Sequence, residues 1–158
     1  MVLKLIYALV LTIIPITELR VGLPLAISYA TDKNIPFLLI FFLIVLLNIL
    51  LIFFIFFFLD NLHKIFLKNK IYRKTFELYL KRLRKTTEKF NKRYDSLGFV
   101  ALVLFVAIPL PGTGAWTGSL ITWTLGLNRV KSIASIALGV IIVGIIIFIV
   151  SIGFINIF

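Results

Sequence analysis

The segment Ala107-Ile-Pro-Leu-Pro-Gly-Thr-Gly-Ala-Trp-Thr-Gly118 interrupts residues 96–128, a run without charge that is long enough to cross a bilayer. Its prolines and glycines exclude a continuous helix, because proline removes a backbone donor and clashes with the preceding turn, while glycine costs backbone entropy. In hydrocarbon, interrupted backbone is tolerated only where protein buries it or where it lines a cavity. The segment therefore predicts a re-entrant hairpin or a broken helix.

The composition is that of a polytopic membrane protein. Of the 158 residues, 61% are hydrophobic and 15% are charged, whereas soluble domains carry about 25% charged residues. The chain has no cysteine and one histidine, His63, so disulfides, thiolate sites and histidine metal clusters are excluded. No nucleophile–base pair is visible, and we expect neither an enzyme nor a cofactor or metal.

The N-terminal region contains two uncharged stretches, 5–17 and 21–31, on either side of Glu18 and Arg20. Each stretch is too short to span a bilayer alone, since a span needs about 20 residues. We therefore expect residues 1–33 to form a re-entrant hairpin.

This hairpin would turn at Pro15 and resume as a second half-helix from about Leu23. Two alternatives are a single tilted helix over residues 3–31 with a buried ion pair, and a signal peptide ending at the small-x-small site Ser28-Tyr29-Ala30.

The rest of the chain divides into four further segments of one membrane domain. Residues 34–59 and 130–158 read as full transmembrane helices, and 96–129 as the second hairpin. Residues 60–95 carry most of the 17 Lys and Arg and an apolar stripe at helical spacing, which predicts a basic amphipathic helix. Asp60 or Asn61 would cap this helix. Its charge favours the cytoplasmic side and binding to anionic lipid, rather than nucleic acid.

The resulting fold is all-α: hairpin, span, basic helix, hairpin, span. One full crossing separates the two hairpins, so they enter from opposite faces and meet near the midplane. This is the inverted-repeat arrangement of many secondary transporters.

Glu18 and Arg20 are the ionisable pair of an otherwise apolar hairpin, and charges at bilayer depth are costly and usually functional. Glu18 could load and release a proton, and Arg20 could hold an anionic head group through bidentate hydrogen bonds. The alternative is a structural ion pair that stitches the hairpin together.

The second hairpin offers a ligand backbone N–H groups and no charged side chain. A half-helix beginning near Ala115 would direct its positive end to the midplane and favour an anion there. Alternatively, the glycines only allow two hairpin tips to pack closely. The candidate substrate- or proton-binding residues, beyond Glu18 and Arg20, are Asn48, Pro109, Pro111, Gly112, Thr113, Gly114 and Trp116.

Two segments, TELRVGLPLAI (Thr17–Ile27) and VAIPLPGTGAWTGSLI (Val106–Ile121), resemble signatures of the small multidrug export protein family, which is grouped with the DedA/VTT superfamily. The resemblance implies two opposed re-entrant hairpins and the movement of lipids, including polyprenyl phosphates, with proton or potential dependence. It assigns Glu18 and Arg20 to the acidic and basic residues of the first hairpin. The chain departs from DedA proteins in that Ala107 to Thr124 contains no arginine.

These observations predict a small, dimeric transporter in the plasma membrane, with membrane lipids and an amphiphilic substrate as its partners. The substrate would be a lipid phosphate or a drug-like cation. An uncoupled lipid scramblase, and a scaffold that binds anionic lipid through the basic helix, are the alternatives.

Overall fold

The computed structural model describes residues 3–62, 97–110 and 112–157, together with residues 74, 77, 78 and 81. These residues form helices and turns, so the all-α expectation is confirmed for them. The helices are α1 (Leu3–Ile13), α2 (Glu18–Lys33), α3 (Phe37–Phe57), which continues into a π-helical turn (Phe58–Leu62), α4 (Leu97–Ala107), α5 (Ala115–Thr124) and α6 (Arg129–Ile157). The predicted basic helix over 60–95 lies almost entirely outside the described residues.

Two helices of the described chain are long and apolar enough to cross a membrane, Phe37–Asn61 and Arg129–Phe154. They correspond to the two spans expected from the sequence. They run antiparallel, because Arg129 at the start of α6 pairs with Asp60 at the end of α3, while Gly144 lies against Val45 farther along.

Helices α1 and α2 form a helical hairpin, which we call the first hairpin. A turn over residues 14–17 separates them, and Lys4 near the start of α1 pairs with Asp32 near the end of α2 at 2.8 Å. The single tilted helix over residues 3–31 is therefore wrong for the described structure. Close approach of the two helices requires glycine at position 22, since a Cβ there would overlap the Thr12 hydroxyl.

The start of α2 differs from the sequence expectation. The helix begins at Glu18 and not near Leu23, so Pro24 lies inside it. Proline in a membrane helix is tolerated where neighbouring groups satisfy the freed backbone. Pro24 would favour a helix that begins near it, but the hydrogen bonds of Glu18 to α5 outweigh this preference and set the helix start at Glu18.

Helices α4 and α5, with the turn at residues 108–114, form what we call the interrupted segment. Both helices pack on α6, and Val106 of α4 lies between Gly118 of α5 and Gly139 of α6. Each helix is short, with 11 and 10 residues, which corresponds to about 16 Å of helix where a span needs about 30 Å. The predicted break thus separates two half-length helices.

Helix α5 also packs on α3 through a separate apolar cluster. It contains Leu51, Ile55 and Leu59 of the α3 segment and Trp116, Leu120 and Trp123 of α5. The expectation that Asp60 or Asn61 begins a new helix is wrong, because both residues continue the helical segment of α3 through the π-helical turn. Asp60 instead uses its carboxylate to bind Arg129 and Trp123.

Candidate functional site

The Glu18 carboxylate lies at the N-terminus of α5, although the two are far apart in sequence. Glu18 Oε2 accepts the backbone N–H of Ala115 and Oε1 accepts that of Trp116, both at 3.1 Å. The residue is only 3% exposed. The first turn of a helix has unpaired N–H groups and a partial positive charge, so a carboxylate is stabilised there.

Arg20 binds the other side of the same break. Its Nη2 donates to the Thr113 hydroxyl at 2.8 Å, to the Ile108 carbonyl at 3.1 Å and to the Val106 carbonyl at 3.5 Å. The last two carbonyls belong to the C-terminal end of α4 and the residue that follows it. A cation is favoured at a helix C-terminus, so Arg20 complements α4 as Glu18 complements α5.

The two charged side chains also pair with each other, with 3.5 Å between Arg20 Nη1 and Glu18 Oε2. Their side chains are 11% and 5% exposed. The site thus contains one anion, one cation and both ends of an interrupted helix, and each charge has partners of opposite sign. An arrangement of this kind can hold buried charge, exchange a proton at the carboxylate, and exchange one anion for another at Arg20.

The predicted residues of the turn divide into two groups. Thr113 lies at the site, where its hydroxyl also donates to the Leu110 carbonyl at 2.8 Å. Gly114 lies at the site as well, because a Cβ there would overlap the Glu18 carboxylate. Pro109 and Gly112 are exposed on the outside of the turn, and Gly112 has φ +83°. Pro111 lies outside the described residues.

Trp116 links α5 to the first hairpin a second time. Its indole Nε1 donates to the Ile13 carbonyl at the end of α1, at 2.9 Å. This carbonyl is one that the end of α1 leaves without an intrahelical partner. Trp116 therefore fastens the tip of the first hairpin to the interrupted segment through both its backbone and its side chain.

Asn48 is fully buried on α3, and its Nδ2 donates to the Ile44 carbonyl one turn earlier at 3.4 Å. No hydrogen bond joins it to the described residues of either hairpin tip. Its Oδ1 has no partner among the described residues.

Sequence reasoning missed a second charged cluster, at the end of α3. Asp60 accepts two contacts from the Arg129 guanidinium and one from Trp123 Nε1 at 3.0 Å, and Arg129 lies over the Phe56 ring with 4.8 Å to its centre. The signal in the sequence was an isolated acid and an isolated base at the ends of two apolar runs. The cluster holds the end of α5 and the start of α6 against α3.

Comparison with known proteins adds one match. The family model described as "Putative small multi-drug export protein" matches residues 18–146, which include Glu18, Arg20, the interrupted segment and most of α6. No curated protein and no solved structure matches the chain.

Proposed function

Since the chain belongs to the small multi-drug export protein family, we propose that it is a membrane transporter whose Glu18 and Arg20 form a proton- and substrate-binding site between two opposed re-entrant hairpins. The single observation that carries the proposal is the contact of the Glu18 carboxylate with the N–H groups of Ala115 and Trp116. Through this contact the turn of the first hairpin and the turn of the interrupted segment share one charged site.

The ion pair between Asp60 and Arg129 supports re-entry of the interrupted segment. It brings the end of α3 and the start of α6 to the same end of the molecule. The chain between Leu62 and Leu97 carries most of the positive charge and would remain on one side of the membrane. The interrupted segment would then begin and finish on that cytoplasmic side.

The pair Lys4–Asp32 supports entry of the first hairpin from the other side. It closes the open end of the hairpin, and Asp32 lies just before α3 begins its crossing toward Asp60. The two hairpin tips would therefore approach from opposite faces and meet at Glu18. This is the inverted-repeat arrangement expected from the sequence, and also that of the DedA proteins that the chain resembles.

The charges suggest how binding and protonation would be linked. The N–H groups of Ala115 and Trp116, together with Arg20, suit an anion, and the Glu18 carboxylate occupies them. Protonation would remove the negative charge of Glu18 and free these donors for the phosphate of an amphiphile. A cationic amphiphile would instead bind the carboxylate itself once the hairpin tips separate.

Glu18→Gln tests the proposal in reconstituted vesicles. Efflux of a fluorescent cationic amphiphile, and of a short-chain polyprenyl phosphate, is measured with and without an imposed pH gradient. We expect the wild type to respond to the gradient and Glu18→Gln to lose that response, since glutamine keeps the shape but cannot ionise. The matched control is Asp32→Asn, which removes an exposed carboxylate of the same helix.

A pH response that persists in Glu18→Gln would refute the proton role. Equal exchange of lipid in both directions without any gradient would identify the scramblase. Loss of function on deletion of residues 64–93, with silent hairpin variants, would identify the scaffold. The expected homodimer is tested in the same vesicles by cross-linking, since the faces of α3 and α6 that carry Phe42, Phe53 and Ile149 are exposed in the single chain.

A further inference from the structure

Two fully buried residues of the described chain have a polar atom without a hydrogen-bond partner. They are Asn48 and Ser119, and the atoms are Asn48 Oδ1 and Ser119 Oγ. Thr124 Oγ1 is also unpaired, but its residue is only partly buried. Five other hydroxyls of the helices donate to the carbonyl four residues earlier: Thr12, Thr31, Thr122, Ser132 and Ser135. Burying an unpaired polar group costs about 1–3 kcal/mol, so these two exceptions require a physical reason.

Ser119 lies one helical turn from the Glu18 site. It follows Ala115, whose N–H binds Glu18, by four residues, so both are on one face of α5 in successive turns. Residues at this spacing are roughly 5–6 Å apart. The serine hydroxyl is therefore one helical turn beyond the N–H groups that hold the carboxylate, and a short chain of ordered waters can bridge such a separation.

Asn48 lies on the opposite side of the Glu18 level from Ser119, as the packing of α3 on α5 shows. The two helices run in the same direction, because Trp123 binds Asp60 while Trp116 packs in the cluster that contains Leu51 and Ile55. Counting back from this contact brings Ala115 level with Leu51. Asn48 is then about one turn farther along, at the level of the turn that holds Arg20, and on the same buried face of α3 as Leu51 and Ile55.

We propose that Asn48 and Ser119 bind buried waters on the two sides of the Glu18 level, and that these waters carry the proton to and from the carboxylate. Buried waters make about three hydrogen bonds to otherwise unsatisfied groups. The site offers an acceptor at Asn48, a hydroxyl at Ser119, a donor at Arg20 Nε, which also lacks a partner among the described residues, and the carboxylate. The inference rests on the proposed proton role of Glu18.

The proton step is a simple exchange. The Glu18 carboxyl O–H bond breaks as a bond forms to the water oxygen, and the hydrated proton leaves along the water, with the Ser119 hydroxyl accepting one hydrogen bond and donating another. Arg20 is the charged side chain that faces Glu18. Helices α3, α4 and α5 contain no ionisable residue, and those of α1 and α6 lie near their outer ends. The polar residues are therefore the route for a proton within the membrane.

The test combines a structure with transport. The double variant Asn48→Leu/Ser119→Ala removes both polar groups and keeps similar volumes, and Ser135→Ala is the control because its hydroxyl is already paired with a carbonyl. Replacement of unpaired polar groups by apolar ones is neutral or stabilising, so we expect an unchanged or higher Tm. We expect flux driven by a pH gradient to fall roughly tenfold or more in the double variant, and to stay at the wild-type level in Ser135→Ala.

A crystal structure from a lipid phase, at a resolution that shows ordered water, supplies the independent measurement. We expect water within hydrogen-bonding distance of Asn48 Oδ1 and Ser119 Oγ. Gradient-driven flux of the double variant equal to that of a pH-responsive wild type would overturn the inference and leave the proposed function intact. If the wild type shows no pH response, the proton role fails, and a dry site in the crystal would then overturn the water site too.

Discussion

At the scale of single residues, the site depends on how Glu18 is held. Its φ is +44°, in the left-handed region that residues with a Cβ rarely adopt, and such backbone costs about 1–3 kcal/mol. The carboxylate offsets this with hydrogen bonds to Ala115 and Trp116. Strain of this kind persists only where its surroundings hold it, and it is common at sites that switch between two conformations.

Gly114→Ala tests the fit of this carboxylate. The backbone of Gly114 is extended, which alanine adopts freely, but the added Cβ would overlap the Glu18 side chain. We expect a loss of about 1–3 kcal/mol in the free energy of unfolding, as for overpacked cores. Thermal unfolding in detergent measures it.

The control is the same change in a Glu18→Ala background. The carboxylate is absent there, so Gly114→Ala should cost little, and the two substitutions should be clearly non-additive. Equal losses in both backgrounds would show that the glycine serves only the turn.

At the scale of helices, close packing of α6 on α4 depends on glycine. A Cβ at Gly139 would come within 2.6 Å of Val106 Cβ and 2.9 Å of the Val103 carbonyl oxygen. Small residues allow helix backbones to approach in membranes, where dispersion replaces the hydrophobic effect as the driving force. In the sequence, Ser135 and Gly139 form a small-xxx-small pair, a pattern that does not identify the helix on which they pack.

We expect Gly139→Ala to lower the free energy of unfolding by about 1–3 kcal/mol. The new methyl group would meet the Val103 backbone and the branched Val106 side chain, and both cannot move away. Gly153→Ala is the control in the same helix, because a Cβ there meets nothing within 4 Å. It should leave Tm unchanged or raise it slightly, as alanine is the better helix former. Equal effects at both positions would contradict the packing argument.

The sequence predicted the helix break and the two spans because proline, glycine and long apolar runs act locally. It also identified Glu18 and Arg20, since charge within an apolar hairpin is conspicuous. It could not tell that Thr113 and Gly114 contact these charges while Pro109 and Gly112 lie outside, because tertiary packing decides that. Ser119 carried no signal, as a serine in an apolar helix usually bonds to its own backbone.

At the scale of the whole molecule, the ends of the helices define two poles. Lys4 and Asp32 lie at one pole, and Asp60 and Arg129 at the other. The helix surfaces between them present exposed apolar side chains such as Leu39, Phe42 and Ile146. Such a surface suits lipid, and it fits the export-protein family to which the chain belongs.

The absence of native cysteine allows a direct test of this topology. Single cysteines at Lys4, Lys33, Lys74 and Lys131 are labelled with a membrane-impermeant maleimide in intact cells. We expect the cysteines at positions 4 and 33 to react from outside, and those at positions 74 and 131 to react only after lysis. Labelling of Lys131 from outside would show that the interrupted segment crosses the membrane fully.

The long separation between Glu18 and its partners has a consequence for biogenesis. The ribosome completes Glu18 and Arg20 well before the residues whose backbone binds them, since Ala115 follows Glu18 by 97 positions. At about 5–20 residues per second, the delay is roughly 5 to 20 seconds. During that interval, Glu18 and Arg20 have each other as partners but lack the backbone groups of α4 and α5. We therefore expect the tip of the first hairpin to reach its final position only after α5 has been synthesised.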